Sequence, residues 1–469
     1  MNEVFACTIL IFTGIFALFV GQTRLPGEDR RFVWMSFWAH VIAAFVLIVL
    51  TYEFFGRGDM EVYYGYGEAL ADYIRVDPLR WGPEVLRLIF QQPAEIPIEV
   101  FGQEGTSTTT MIGITAFLLI LTGSSMFGCG LILSFVAFSG QLAMYRTFSA
   151  HFGKELRLQV MVATLLVPSA VFWTSGVVKE AVAMGGLGWM IYGLHRLLGS
   201  RGKGWGILWL AAGAVAVALV KSYILFPMVA AAALWWYWRR SMATHGTVAI
   251  ARKPFQIAIL GAAGVGAMIG LGQIFPQYSL DSLAEETANL QYQGERIQGG
   301  SSYSMGDGTT TSLGGQLAFA PLAISASLFR PFIFEAHNAV AAINAVETTL
   351  VLLLWVRILW VLGARGAWRV LRSSPPLIFC VVFVLLFGLG VGLATTNLGT
   401  LSRYRVPMMP MYLLVLLILS ARPWRLRAGL RGGRGPGGAS SAEPTSKART
   451  RTFADFTEDF RRGARWRGR

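Results

Sequence analysis

From Leu377 to Leu393 the chain carries no charged residue, and the runs Val41–Leu50 and Ile207–Val220 repeat the pattern. Such stretches need either a protein core or lipid around them, and about 20 apolar residues in a row are enough to cross a bilayer as a helix. Composition decides between the two environments. Only 14% of the 469 residues are charged and 54% are hydrophobic, with a mean hydropathy of +0.53. A soluble chain would carry about a quarter charged residues. The sequence therefore predicts an all-α polytopic membrane protein.

Eleven transmembrane helices are expected, at residues 4–20, 33–52, 124–145, 158–174, 180–196, 205–220, 222–238, 255–275, 338–361, 377–395 and 406–421. Basic loops orient them through the positive-inside bias. Arg24, Arg30 and Arg31 mark one inside loop, and Arg146, Lys154 and Arg157 the next. Arg196, Arg201 and Lys203 follow, then Arg239, Arg240, Arg252 and Lys253, then Arg365, Arg369 and Arg372. This pattern puts the N-terminus out and the C-terminus in. The first apolar run is preceded by Glu3 and by no basic residue, which suits a first span better than a signal peptide. Two short apolar segments, 111–122 and 317–329, are expected to be interfacial or re-entrant pieces at the outer face, because counting either as a span would invert the topology. Pro168 and the glycines of Gly185–Gly188 are expected to be able to interrupt spans.

Residues 1–421 thus form a transmembrane domain with two large non-cytoplasmic loops, 53–110 and 276–337. The first has ten acidic residues against four arginines, with helical patches expected to break at Pro78, Pro83, Pro93 and Pro97; the second is Gly/Ser/Thr-rich around 299–315. Residues 422–469 form a basic, partly disordered cytoplasmic tail. The net charge of +14 does not point to nucleic acid: the tail holds 13 Lys/Arg against 4 Asp/Glu, or +9, leaving +5 for everything before it. Anionic lipid headgroups are the expected partner of such a tail. Phe453, Phe456 and Phe460 would share one helix face, so 453–462 is expected to lie on the membrane or to dock a protein partner. Cys7, Cys129 and Cys380 lie in apolar stretches and read as core residues. The five histidines are scattered and offer no metal cage. Gly261–Gly266 falls within a span, where it reads as a helix-packing stripe rather than a phosphate loop.

Ionisable groups near membrane depth are costly and usually functional. In the expected topology Lys179 (in WTSGVVKE), Lys221 (in VALVKSY), Arg330 (in LFRPF), Arg403 and Arg405 (in LSRYRVP) all lie at outer ends of spans, against the charge bias. Glu180, Glu335 and Glu347 accompany them. Together the cations suit a phosphate or pyrophosphate carried on a lipid; singly, each could snorkel or pair with its neighbour, Lys179 with Glu180 and Arg330 with Glu335. The first loop opens GRGDMEVYYGYGE, which puts Asp59 and Glu61 close to the membrane surface beside Tyr63, Tyr64 and Tyr66. A carboxylate there could serve as a general base for an attacking hydroxyl, and the tyrosines could stack on sugar rings.

These features resemble the GT-C superfamily of polytopic glycosyltransferases. The resemblance rests on the membrane-proximal acid after the first pair of spans and on the late motif Arg403-Tyr404-Arg405-Val406-Pro407-Met408-Met409-Pro410. Pro168–Glu180 and Leu328–Asn338 are similar to segments of bacterial membrane proteins of surface polysaccharide assembly. The resemblance implies transfer of a sugar from a polyprenyl-phosphate donor to a glycan or lipid acceptor at the outer face of the bacterial inner membrane. It implies Asp59, with Glu61 as substitute, as catalytic base, and Arg403 and Arg405, with Tyr404 between them, at the donor phosphate. No cofactor is evident, although a divalent metal ion is compatible with the chemistry. The loop has no paired acidic motif and no large soluble domain follows the spans, so the acceptor stays open. Two other readings fit the same residues: a Wzy-type repeat-unit polymerase working through arginines alone, and a non-enzymatic transporter or envelope scaffold.

Overall fold

The computed structural model describes residues 3–22, 25–54, 56, 58–96, 105–199, 202–250, 318–336, 339–395 and 397–421. The expected span at 255–275, most of the second loop and the tail with Phe453, Phe456 and Phe460 lie outside the described residues. Every regular element among the described residues is helical. In chain order these are α1 (Glu3–Gly21), α2 (Gly27–Glu53), α3 (Gly58–Val76), α4 (Pro78–Ile89), α5 (Ser107–Thr122), α6 (Met126–His151), α7 (Arg157–Leu165), α8 (Pro168–Trp173), α9 (Lys179–Leu198), α10 (Lys203–Lys221), α11 (Leu225–Ile250), α12 (Ala320–Phe329), α13 (Ala339–Arg372), α14 (Pro375–Ala394), α15 (Leu398–Tyr404) and α16 (Met409–Ala421).

Seven helical stretches among the described residues are long and apolar enough to cross a membrane, or eight if the bent pair α15–α16 counts as one span. The chain is therefore a multi-pass membrane protein. Local chemistry explains where the helices bend. α7 and α8 part at Leu166 and Val167, because a residue before proline avoids the helical region, and Pro168 opens α8. Within α13 the helix breaks at Gly363, whose positive φ of 66° a glycine adopts without penalty; the sequence-expected span end at 361 falls beside this break. Pro407 and Pro410 lie where α15 meets α16 at 41°. Two expectations fail. Pro83 sits inside α4 without ending it. Gly185, Gly186 and Gly188 do not interrupt their span, since α9 runs unbroken for 20 residues.

Those glycines act through packing instead. A Cβ on Gly188 would lie 2.0 Å from the Gly140 carbonyl oxygen, and one on Gly186 would lie 2.8 Å from that of Gly213. α9 is thus pressed backbone to backbone between α6 and α10, the small-residue packing of helices in lipid. Side-chain contacts fix its direction. His151 of α6 bonds His195 of α9, and Lys221 of α10 bonds Glu180 of α9, so α6 and α9 run parallel and α10 antiparallel to them. α10 and α11 form a continuous apolar stretch, Lys203–Met242, yet the chain reverses at the 3-10 turn Ser222–Ile224. Tyr223 stacks with Phe387 near one end of α14, whereas Trp235 meets Phe379 near the other.

The bundle has two distinct ends. Asp29, Tyr145, His151, Arg157, His195 and Arg372 mark one; Glu3, Asp59, Lys179, Lys221 and Arg403 mark the other. A cap of α3, α4 and α5 covers the second end. Both termini of α5 touch it: Ser107 and Thr108 hold Lys179, while Thr122 at the far terminus donates to the Ser125 carbonyl, beside the Ser125–Glu3 contact that closes the start of α6. Segment 111–122 therefore lies across the bundle end. α12 enters beside the Asp59-end half of α14, with Ala323 against Gly392 and Ser327 against Gly388. Pro331 then turns the chain to α13, where its carbonyl accepts from Thr348. At about 15 Å, the ten residues of α12 span half a hydrocarbon core.

Candidate functional site

Asp59 is the second residue of α3, where a carboxylate complements the exposed amides of a helix start. Gly58, at φ 49°, turns the chain sharply from α2 into α3 at the bundle end. Glu180 is likewise the second residue of α9. Arg403 comes from α15, a short helix capped by Asn397, whose Oδ1 accepts from the amides of Gly399 and Thr400 at 2.8 and 3.2 Å.

These three elements converge on one guanidinium. Arg403 Nε donates to Glu180 Oε1 at 2.8 Å and Nη2 donates to Glu180 Oε2 at 3.1 Å, a two-toothed grip. The same Nη2 reaches Asp59 Oδ2 at 3.2 Å. Lys221 Nζ donates to Glu180 Oε1 at 3.0 Å and sits 4.3 Å above the Tyr404 ring. Lys179 Nζ donates to Ser107 Oγ at 2.9 Å and Thr108 Oγ1 at 3.1 Å, 5.8 Å from the Tyr63 ring. Exposure grades the network: the Glu180 side chain is 0% exposed, Lys221 5%, Arg403 24% and Asp59 57%. Three cations thus face two carboxylates.

A cavity of about 550 Å³ opens beside this network. Its polar wall includes Asp59, Arg403, Asn344, Asn397 and Thr400; its apolar wall includes Leu47, Phe54, Trp173, Val178 and Val340. The wall therefore combines an acid, a cation, amide groups and two aromatic faces. That combination suits an amphiphile with an anionic head.

Six of the ten residues singled out from sequence meet here: Asp59, Lys179, Glu180, Lys221, Arg403 and Tyr404. Four do not. Glu61 is not on the cavity wall. Arg330 and Glu335 form a local ion pair, and Glu335 also accepts from the Phe332 amide at 2.8 Å, so these two close a turn. Arg405 is fully buried. It donates through Nη1 to the Arg330 carbonyl, behind the wall rather than on it. Tyr63, expected as a sugar platform, is 1% exposed; burial, then the neighbouring Asp59, raises its phenol well above the ordinary range and keeps it neutral. Tyr64 and Tyr66 do not line the cavity either, and its aromatic faces are Trp173 and Phe54.

Other groups carried no sequence signal. Ser107 and Thr108 hold Lys179 from 71 or 72 residues away. Asn344 reaches the cavity from within an expected span and Asn397 from the connection between two others. Glu347, which the sequence did set beside the outer cations, accepts from the Ser169 amide at 3.0 Å and hydroxyl at 2.6 Å, capping α8. At the opposite end Asp29 pairs with Arg157 at 3.0 Å and accepts from Tyr145. All three cysteines are buried and free. Among the described residues no three His, Cys, Asp or Glu side chains gather as a metal site.

No protein-family model, curated protein or solved structure matches this chain.

Proposed function

We propose that this protein is a membrane glycosyltransferase resembling the GT-C type, which moves a sugar from a polyprenyl-phosphate donor to a hydroxyl acceptor. The observation that supports it is the contact between Asp59 of the first loop and Arg403 of the late motif, 344 residues apart in sequence, on the wall of one cavity. In this reading eleven spans carry the chain, with the Asp59 end at the outer face of a bacterial inner membrane.

Asp59 is half-exposed and faces the cavity, so it is available to take the proton of an acceptor hydroxyl. As it does so, the acceptor oxygen attacks the anomeric carbon. The bond from that carbon to the phosphate oxygen breaks, and its electron pair leaves with the lipid phosphate. Arg403, backed by Lys221 and Lys179, stands where that negative charge develops. Glu180 is too deeply buried and too fully engaged to touch substrate. It positions Arg403. Trp173 and Phe54 offer faces to the sugar ring, and Leu47, Val178 and Val340 line the path for a prenyl chain.

The test is the surface-glycan profile of cells carrying Asp59→Asn, compared with a full deletion at matched protein level. General-base catalysis contributes about 10²–10⁴-fold, so the variant should reproduce the deletion. A glycan altered by deletion but unchanged by Asp59→Asn would refute Asp59 as the base.

A further inference from the structure

The Asp59–Arg403 contact and the Glu180–Arg403 contact differ in kind. Glu180 holds Arg403 through two nitrogens inside the protein, where separating a pair leaves an uncompensated buried charge. Asp59 touches only Nη2, at 3.2 Å, with more than half its side chain in solvent. An exposed pair of that geometry contributes little. Among the described residues Arg403 Nη1 has no hydrogen-bond partner. Arg403 is therefore fixed from behind and weakly occupied in front. Lys179 is held off the cavity wall by Ser107 and Thr108, so the front of the site presents one cation, Arg403, to one carboxylate.

We infer that Asp59 is the resident occupant of an anion site built on Arg403, and that an incoming phosphate ester displaces it. A phosphate ester brings at least one negative charge, which takes the place of that of the carboxylate. It takes Nη2 and Nη1 as a fork, while Glu180 keeps its grip on the other side of the guanidinium. The displaced Asp59 is then free to accept a proton. The site links its two ligands: the carboxylate is released when the anion arrives, which orders donor before acceptor. This rests on the proposed transfer reaction for its purpose but not for its chemistry, since the exchange can be measured without turnover.

The experiment is calorimetric titration of the purified full-length protein in detergent with two probes, farnesyl phosphate and inorganic phosphate, for wild type and Asp59→Asn. Removing a competing exposed pair should tighten phosphate binding about two- to five-fold. Arg403→Gln should weaken it at least tenfold; should that variant fail to fold, Asp59→Asn decides alone, because Asp59 is exposed and asparagine keeps its shape. Tightening seen mainly with farnesyl phosphate upholds the exchange and assigns the ligand to a lipid; equal tightening with both probes upholds it and assigns a soluble phosphate. Unchanged or weaker binding in Asp59→Asn with both probes overturns it. Lost sugar transfer together with unchanged phosphate affinity would keep Asp59 as base and discard the exchange. Tightened affinity with normal transfer would do the reverse.

Discussion

Replacing Glu180 should destabilise the fold more than changing any other residue of the site, and glutamine is its mildest replacement. The side chain is fully buried and neutralises two cations. Removing one partner of a buried ion pair costs about 3–5 kcal/mol, because the other charge is left without compensation. Lys221, 5% exposed, bears that cost in full. Arg403 bears less of it, being 24% exposed and still in contact with Asp59. Glutamine preserves the volume and one carbonyl acceptor, which places the loss near the lower bound, about 3 kcal/mol, or more than a hundredfold in the folded ratio. Glu180→Ala adds a cavity and should cost more. The assay is the fraction of monodisperse protein that survives heating in detergent, read by size-exclusion fluorescence, together with denaturant titration. A paired substitution separates loss of charge from loss of its partner. Glu180→Leu with Lys221→Met removes both charges and should recover at least about 1 kcal/mol over Glu180→Leu alone, since apolar replacements of buried pairs are often near neutral. A Glu180→Gln protein as stable as the parent, or a double variant no better than the single, would show that Lys221 does not depend on Glu180.

Three further outcomes follow from the packing. Gly188→Ala should separate α6 from α9 and cost at least about 1–3 kcal/mol, measured by the same thermal assay, because its Cβ would meet the Gly140 carbonyl. Arg405→Met should leave phosphate affinity within twofold of wild type and should not lower stability by more than about 1.5 kcal/mol, as Arg405 stands behind the cavity with its Nε and Nη2 groups lacking hydrogen bonds; a tenfold affinity loss would restore Arg405 to the phosphate site. In a cysteine-free background, a cysteine at residue 59 should react with an impermeant thiol reagent added to intact cells, and one at residue 369 should not; the opposite result would invert the proposed orientation.

Much of this site was legible because lipid makes misplaced charge conspicuous. Lys179, Lys221 and Arg403 drew attention by breaking a charge bias, Glu180 by accompanying them and Asp59 by its place at the membrane surface, and all five meet. What the sequence could not carry was direction. Arg403 and Arg405 are two residues apart, so on a helix they diverge by about 200°; only one could face the cavity, and nothing in RYRVP says which. Tyr63 and Tyr64 split in the same way, one into the core and one toward the surface. Arg330 and Glu335 pair across a short turn, the local alternative that the sequence also offered. Spans were recognised from apolar length, but the hairpin between α10 and α11 depends on a single 3-10 turn. The glycines of α9 looked like breakers because a lone sequence cannot show the neighbouring backbones they admit.

α9 also bears on how the protein is made. It opens with Lys179 and Glu180, ends with His195 and Arg196, and is not among the stretches apolar enough to span by composition. Its glycines are useful only once α6 and α10 lie against it, and its buried carboxylate is tolerable only once Lys221 and Arg403 have arrived. During synthesis, α9 would leave the translocon as a poor stop signal, waiting on a lysine 41 residues later and an arginine more than 200 residues later. Reporter fusions truncated near residue 200 should therefore misreport the side on which that loop lies, while the full-length chain reports it correctly.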